Sequence, residues 1–198
     1  MFDQNASSPF FDSEWMFGVK HGFDIVIGNP PYLDAKEQLK KETLRLQRIF
    51  LSRDKRFETL YQKWDLYIAF IEIGITHFCC EGGLCVMIVP YPLSNQLYAQ
   101  KIRRKILDKY DMMEIVDLNG VKVFENATVT NCIPFIRKST PRGNVIVSKA
   151  NKSRLIFHSF VQPFDKLVQD EKTFVWNFTQ YNRNGNRHSN FHVLGDFC

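Results

Sequence analysis

The stretch Phe23-Asp24-Ile25-Val26-Ile27-Gly28-Asn29-Pro30-Pro31-Tyr32 decides how the rest of the chain is read. Its first six residues are a short apolar run closed by glycine, the pattern of a buried strand in a parallel sheet. The next four place a stiff loop at the carboxyl end of that strand, where open α/β sheets bind their ligands. Each proline fixes φ and removes a backbone N–H. Pro30 also pushes Asn29 towards an extended conformation. The loop therefore offers acceptors, the Asn29 side-chain oxygen and main-chain carbonyls, beside one aromatic face, Tyr32. A flat ring carrying an amino group suits that corner. The plain alternative is a proline-stiffened turn, because Asn-Pro favours turns.

Around this stretch the chain alternates strands and helices. Residues 1–22 read as irregular, with scattered aromatics such as Phe10, Phe11, Trp15 and Phe17. Residues 34–63 are strongly basic, with a loosely helical pattern from Leu39, Leu44, Leu46, Ile49 and Phe50. They read as a solvated helix and loop, or as a basic flap over a phosphate backbone. Leu66, Ala69, Phe70, Ile73 and Phe78 predict a helix over 65–80, stopped by Gly82-Gly83. A second buried strand follows over 84–89, ended by Pro90 and Pro92. A basic helix is predicted over 94–109, with Leu97, Ile102, Ile106 and Leu107 inside and Lys101, Arg103, Arg104, Lys105 and Lys109 outside. Residues 113–118 and 129–137 are further strands, and Pro134 places the latter near an edge or at a bulge. Past the turn at 140–143 comes a short strand, Val145 to Val147, and then a mixed, polar stretch. The pattern predicts an α/β fold with a mostly parallel sheet and an antiparallel edge strand.

The bulk properties agree. A chain of 198 residues holds one domain, or one domain and a piece of another. With 44% hydrophobic and 24% charged residues, its composition is that of an ordinary soluble globular protein. A net charge of +5 permits a nucleic-acid partner without demanding one. The five cysteines show no metal-ligand spacing and read as small buried side chains in a reducing compartment. His77 and His158 stand alone, so no metal site is expected. No signal peptide is visible and no apolar stretch is long enough to span a bilayer, which predicts a cytoplasmic protein with no membrane partner.

The exocyclic amine of a nucleobase is a poor nucleophile because its lone pair is delocalised into the ring. Two acceptors that hold its hydrogens favour a pyramidal nitrogen, and Asn29 Oδ1 with the Pro30 carbonyl would form such a pair. Tyr32 would stack on the ring. The gain would come from positioning and electrostatics. A base inside a duplex cannot reach such a corner, so it would have to be flipped out.

Gly28-Asn29-Pro30-Pro31-Tyr32 after the apolar strand resembles the catalytic motif of amino-methyltransferases that use S-adenosylmethionine. DNA adenine-N6, RNA and protein-glutamine methyltransferases share it. Trp64-Asp65-Leu66-Tyr67-Ile68-Ala69-Phe70, followed by Glu81-Gly82-Gly83 and a strand ending at Pro90, resembles the DNA adenine-N6 branch. So does Val123-Phe124-Glu125-Asn126-Ala127-Thr128, where that branch packs its Phe against the flipped adenine. The basic insertion resembles the large restriction–modification enzymes that fuse methyltransferase and specificity regions. The resemblance implies Asn29, Pro30, Pro31 and Tyr32 as catalytic residues. It implies Phe124 and Asn126 as substrate contacts, Asn29 and Phe70 beside the cofactor, and double-stranded DNA as partner.

One departure shapes the domain reading. The family holds its cofactor mainly through a Gly-rich loop on strands that precede the catalytic loop, and nothing before Phe23 supplies one. The chain therefore reads as part of a longer polypeptide. Residues 1–140 are a partial catalytic domain without its cofactor-binding half, and 141–198 a connector and the start of a target-recognition domain near Leu194-Gly195-Asp196-Phe197. Such a fragment is expected to be inactive alone. Methylation of RNA or of a protein glutamine by the same loop, and a non-catalytic DNA-binding fragment, are the competing functions.

Overall fold

The computed structural model describes residues 12–124, 129–150, 157–180 and 190–192. The Asp12 carboxylate accepts the Trp15 N–H at 2.9 Å and starts α1 (Ser13–Phe17). After β1 (Phe23–Gly28), the basic insertion forms α2 (Ala35–Lys40), capped by Asp34, and α3 (Glu42–Arg53). No residue of α3 is buried, so it is a solvated helix. By contrast, α4 (Leu66–Ile73) buries Leu66, Tyr67, Ile68, Ala69, Ile71 and Glu72.

The predicted helix over 65–80 is shorter than its apolar spacing implies. One π-helical turn, Gly74–Phe78, ends it, and β2 (Cys79–Met87) begins immediately. Gly82-Gly83 lies inside β2 as the irregularity where its pairing with β1 jumps from Phe23↔Cys79 to Ile25↔Leu84. Gly82 sits at φ 80°, and a Cβ on Gly83 would meet the Phe23 carbonyl at 2.9 Å, so both positions require glycine.

β3 (Val89–Pro90) leads through turns at Tyr91–Ser94 and Leu97–Ala99 into α5 (Gln100–Lys109). The helix predicted from residue 94 thus starts at Gln100, since the sequence around Pro92 takes tight 3₁₀ turns. Leu97 lies outside it and is exposed. Arg103, expected on the solvent face, is fully buried. Its guanidinium donates to the carbonyls of Leu93 (2.8 Å), Gln96 (2.8 Å), Phe174 (2.7 Å) and Thr173 (2.6 Å). Those four acceptors outweigh the periodicity that placed it outside.

β4 (Asp111–Asp117), β5 (Asn131–Arg137), β6 (Asn144–Ala150) and β7 (Phe157–Pro163) follow. Then come α6 (Phe164–Leu167), a separate hairpin of β8 (Val168–Asp170) and β9 (Val175–Trp176), and β10 (Asn190–His192). The main sheet has the order β1-β2-β5-β4-β6-β7-β10, with β3 also on β5. Among the described residues, β5 and β7 run against the other six strands. The fold is α/β with a mostly parallel sheet, as the alternating pattern predicts.

The antiparallel strand around Pro134 is not at an edge: β5 lies between β2 and β4. Pro134 is tolerated there because the ladder is interrupted. Pairing with β2 stops at Val86↔Phe135 and resumes with β3 at Val89↔Cys132, while β4 shifts register between Met112 and Glu114. The sheet also continues past residue 140, since β6 pairs with β4 in parallel. In contrast, among the described residues β1 pairs on one side only, with β2. Ile25 is 60% and Ile27 78% exposed, so the strand read as buried is open within this chain. Ile68 and Ile71 of α4 and Ile102 and Ile106 of α5 join Cys85, Val89, Ile115 and Ile136 of the sheet in one core. Among the described residues, no helix is long and apolar enough to cross a membrane.

Candidate active site

The parallel strands β1, β2–β3, β4 and β6 bring their carboxyl ends to one rim. Ile88 N–H donates to the Gly28 carbonyl at 3.1 Å and carries the β1–β2 pairing to the last residue of the strand. The loop then leaves with Asn29 and Pro31 exposed, Pro30 buried and Tyr32 half-buried. No described group hydrogen-bonds the Asn29 side chain, and no described loop N–H donates to the Pro30 carbonyl. Among the described residues, these two acceptor oxygens have no hydrogen-bond partner.

The rest of the loop is fastened from behind. The Leu33 carbonyl accepts the Leu66 N–H at 3.1 Å and Gln38 Nε2 at 2.7 Å, which ties the loop to the start of α4 and to α2. Arg48 of α3 donates to Gln38, Gln62 and Trp64 and lies over the Trp64 ring at 4.1 Å. Arg48 thus braces the loop, while Lys36, Lys40, Lys41, Arg45 and Arg53 stay exposed as a cationic face.

Tyr32 is held from both sides. Its hydroxyl donates to the Ile88 carbonyl at 3.2 Å and accepts Asn131 Nδ2 at 2.9 Å. Burial, with Cys132 adding and the Asn131 hydrogen bond partly opposing, pushes its pKa up to about 12, so the phenol is neutral at physiological pH. Phe124 meets it edge to face, ring centres 6.5 Å apart and planes at 70°. The two rings make a steep aromatic corner. Asn126 lies outside the described residues.

Phe70 is 40% exposed on the otherwise buried α4, contrary to its place in the predicted core stripe. Asp24 accepts a hydrogen bond from the Cys80 thiol at 3.6 Å and takes no part in the loop. A polar cleft of about 320 Å³ opens on the same rim, lined in part by Tyr91, Asn95, Asp117, Asn119 and Lys149.

Two residues escape sequence reasoning. Asn131 was one polar residue at the mouth of an apolar strand, and nothing local ties it to Tyr32 across 99 positions. Asp65 precedes α4, is buried, and its Oδ1 has no partner. Burial pushes its pKa up to about 6, against the Leu66 and Tyr67 amides and with help from Asp34 and Glu37. The Trp64-Asp65 pair ahead of an apolar helix was the available signal, and it reads equally well as an ordinary N-cap.

The family model described as Eco57I restriction-modification methylase matches residues 2–124, more than half of the chain. The chain belongs to that family. The Type II methyltransferase M.BstVI of Geobacillus stearothermophilus is 32% identical over 163 residues, covering 78% of this chain and 28% of that protein. The Type II restriction enzyme and methyltransferase RM.Eco57I of Escherichia coli is 27% identical over 120 residues, covering 61% of this chain and 12% of that protein. The chain thus spans well under a third of these curated relatives. The type I restriction-modification system methyltransferase subunit of Streptococcus thermophilus superposes with a TM-score of 0.56 at 17% identity, over 83% of this chain and 40% of that one. That likeness establishes the shared fold. The family resemblance first read from Asn29 to Tyr32 is therefore borne out for the Eco57I-type chain.

Proposed function

We propose that the full-length protein transfers a methyl group from S-adenosylmethionine to the N6 amine of an adenine in a specific double-stranded DNA sequence, with that adenine flipped out of the helix. The observation that carries this reading is the corner itself: Asn29 Oδ1 and the Pro30 carbonyl, without partners among the described residues, at the end of β1 beside the steeply crossed Tyr32 and Phe124 rings. Membership in the restriction-modification methylase family supports it.

The residues present fit part of the cofactor. Phe70 offers an exposed ring on a helix whose other apolar residues are mostly buried, and Asn29 offers an exposed side chain at the end of β1. Phe70 would hold the adenine moiety, and Asn29 the end nearest the substrate. When bound, S-adenosylmethionine supplies an electrophilic methyl group. Asn29 Oδ1 and the Pro30 carbonyl hold the two amine hydrogens and draw the nitrogen lone pair out of conjugation. They would also stabilise the positive charge that nitrogen gains as the methyl–sulfur bond breaks and the N–C bond forms, before the nitrogen gives up one proton to water. Pro30 and Pro31 keep these acceptors from turning inward. Tyr32 fixes the ring plane, and as a neutral phenol it brings no competing charge. The exposed lysines and arginines of α2 and α3 meet the phosphate backbone, which makes binding fall with added salt. Target-sequence recognition is assigned to other parts of the parent polypeptide.

The test is direct. The full-length protein is incubated with methyl-labelled S-adenosylmethionine and duplex DNA, and the DNA is digested to nucleosides. Label in N6-methyldeoxyadenosine is expected. Label in a methylcytosine, or only in RNA or protein offered alongside, would overturn the assignment.

A further inference from the structure

We infer that Asn131 is a positioning residue that holds Tyr32 in one fixed orientation beside Phe124; this rests on the methyltransferase reading above. Asn131 is 1% exposed at the start of β5, so its hydrogen bonds are made without competition from water. Its side-chain nitrogen donates to Tyr32 Oη at 2.9 Å and, more weakly, to the Val89 carbonyl at 3.4 Å. Its main-chain carbonyl accepts the Leu118 N–H at 3.2 Å. That bond closes the base of the segment running from β4 to β5, the segment that carries Phe124. The Asn131 side chain therefore anchors the phenol, and its place at the start of β5 sets where that anchor stands.

The chemistry of the position favours an amide. Tyr32 Oη receives a proton from Asn131 and gives its own to the Ile88 carbonyl at 3.2 Å. With one bond in and one bond out, the hydroxyl has a fixed direction and the ring cannot swing away from the rim. Aspartate has the same shape but presents only acceptors to Tyr32 Oη and Val89 O when ionised. Leucine fills the volume and supplies no donor. Leucine would break the link outright, and aspartate would keep a bond to Tyr32 only by drawing the hydroxyl proton away from the Ile88 carbonyl.

A double-mutant cycle in the full-length enzyme tests this. Asn131→Leu and Tyr32→Phe are each expected to lower kcat about tenfold, with the KM for S-adenosylmethionine changed less than about twofold. Because both remove the same bond, the double variant is expected to be little worse than either single one, and Asn131→Leu should cost less than about twofold in the Tyr32→Phe background. Independent losses multiplying to about a hundredfold, or a wild-type kcat in Asn131→Leu, would overturn the inference. If Asn131→Leu fails to fold, the same cycle is run with the smaller Asn131→Ser, with the same two outcomes. Asn29→Ala separates the two levels of the reading. If Asn29→Ala abolishes methylation while the Asn131 variants turn over normally, the Asn131 role alone fails. If Asn29→Ala also methylates normally, the site assignment beneath it fails.

Discussion

The Asn29–Tyr32 corner and the surroundings of Arg103 use the same group, the main-chain carbonyl, in opposite ways. Around Arg103, carbonyls from the turns after β3 and from the β8–β9 hairpin converge on a buried guanidinium. Burial lowers the Arg103 pKa to about 10, which still leaves it charged at physiological pH. At the corner, prolines remove the N–H groups that would turn the loop inward, and the acceptors are left at the rim. Satisfied carbonyls indicate a joint of the fold. Unsatisfied ones beside an aromatic wall indicate a place where a ligand completes the hydrogen bonding.

Substitutions on the two sides should therefore separate activity from stability. The largest effect is expected from Asn29→Ala, with methyl transfer falling about 10²–10³-fold, or ~3–4 kcal/mol of barrier, and an unchanged melting temperature. Single-turnover kinetics and calorimetry on the full-length protein measure both. Arg103→Met should do the reverse, costing about 2–4 kcal/mol of stability in denaturant unfolding because four carbonyls at a joint of the fold lose their donor. If Arg103→Met instead leaves stability intact and impairs turnover, the two regions have been assigned the wrong way round. Tyr32→Ala comes next, with about 1–3 kcal/mol lost from catalysis through base stacking and little from DNA binding in gel-shift titration.

The smallest effect concerns Asp65. Its pKa is raised from 3.8 to about 6, so between those values the native state binds its proton more tightly than the unfolded chain does. Stability at this site is therefore highest at low pH and falls as pH rises through about 4 to 6. Asp65→Asn should match wild type near pH 3.5 and exceed it by roughly 1 kcal/mol at pH 8, after allowance for partial solvent screening. Thermal melts across that range check it, and a gap that narrows as pH rises would refute the burial argument.

Much of this was legible in sequence because it is local. The strand–Gly28–Asn29–Pro30–Pro31–Tyr32 order fixes both the α/β class and the position of the corner, since proline restrictions act on adjacent residues. What escaped was long-range. Arg103 follows helical periodicity to the surface, and only the distant Thr173 and Phe174 carbonyls draw it inside. Asn131 is invisible beside Tyr32 until β5 lies between β2 and β4. Ile25 and Ile27 fit a strand buried on both faces, yet burial depends on what lies against β1, which its own residues do not specify.

A duplex carrying 2-aminopurine in place of the target adenine of the recognition sequence asks whether that base enters the corner. With the full-length protein bound to saturation, fluorescence should rise several-fold as the base leaves the stack, and rise further with Tyr32→Ala, which removes the quenching phenol. Fluorescence that stays at the level of the unbound duplex, with binding confirmed, would contradict extrusion into the Asn29–Tyr32 corner.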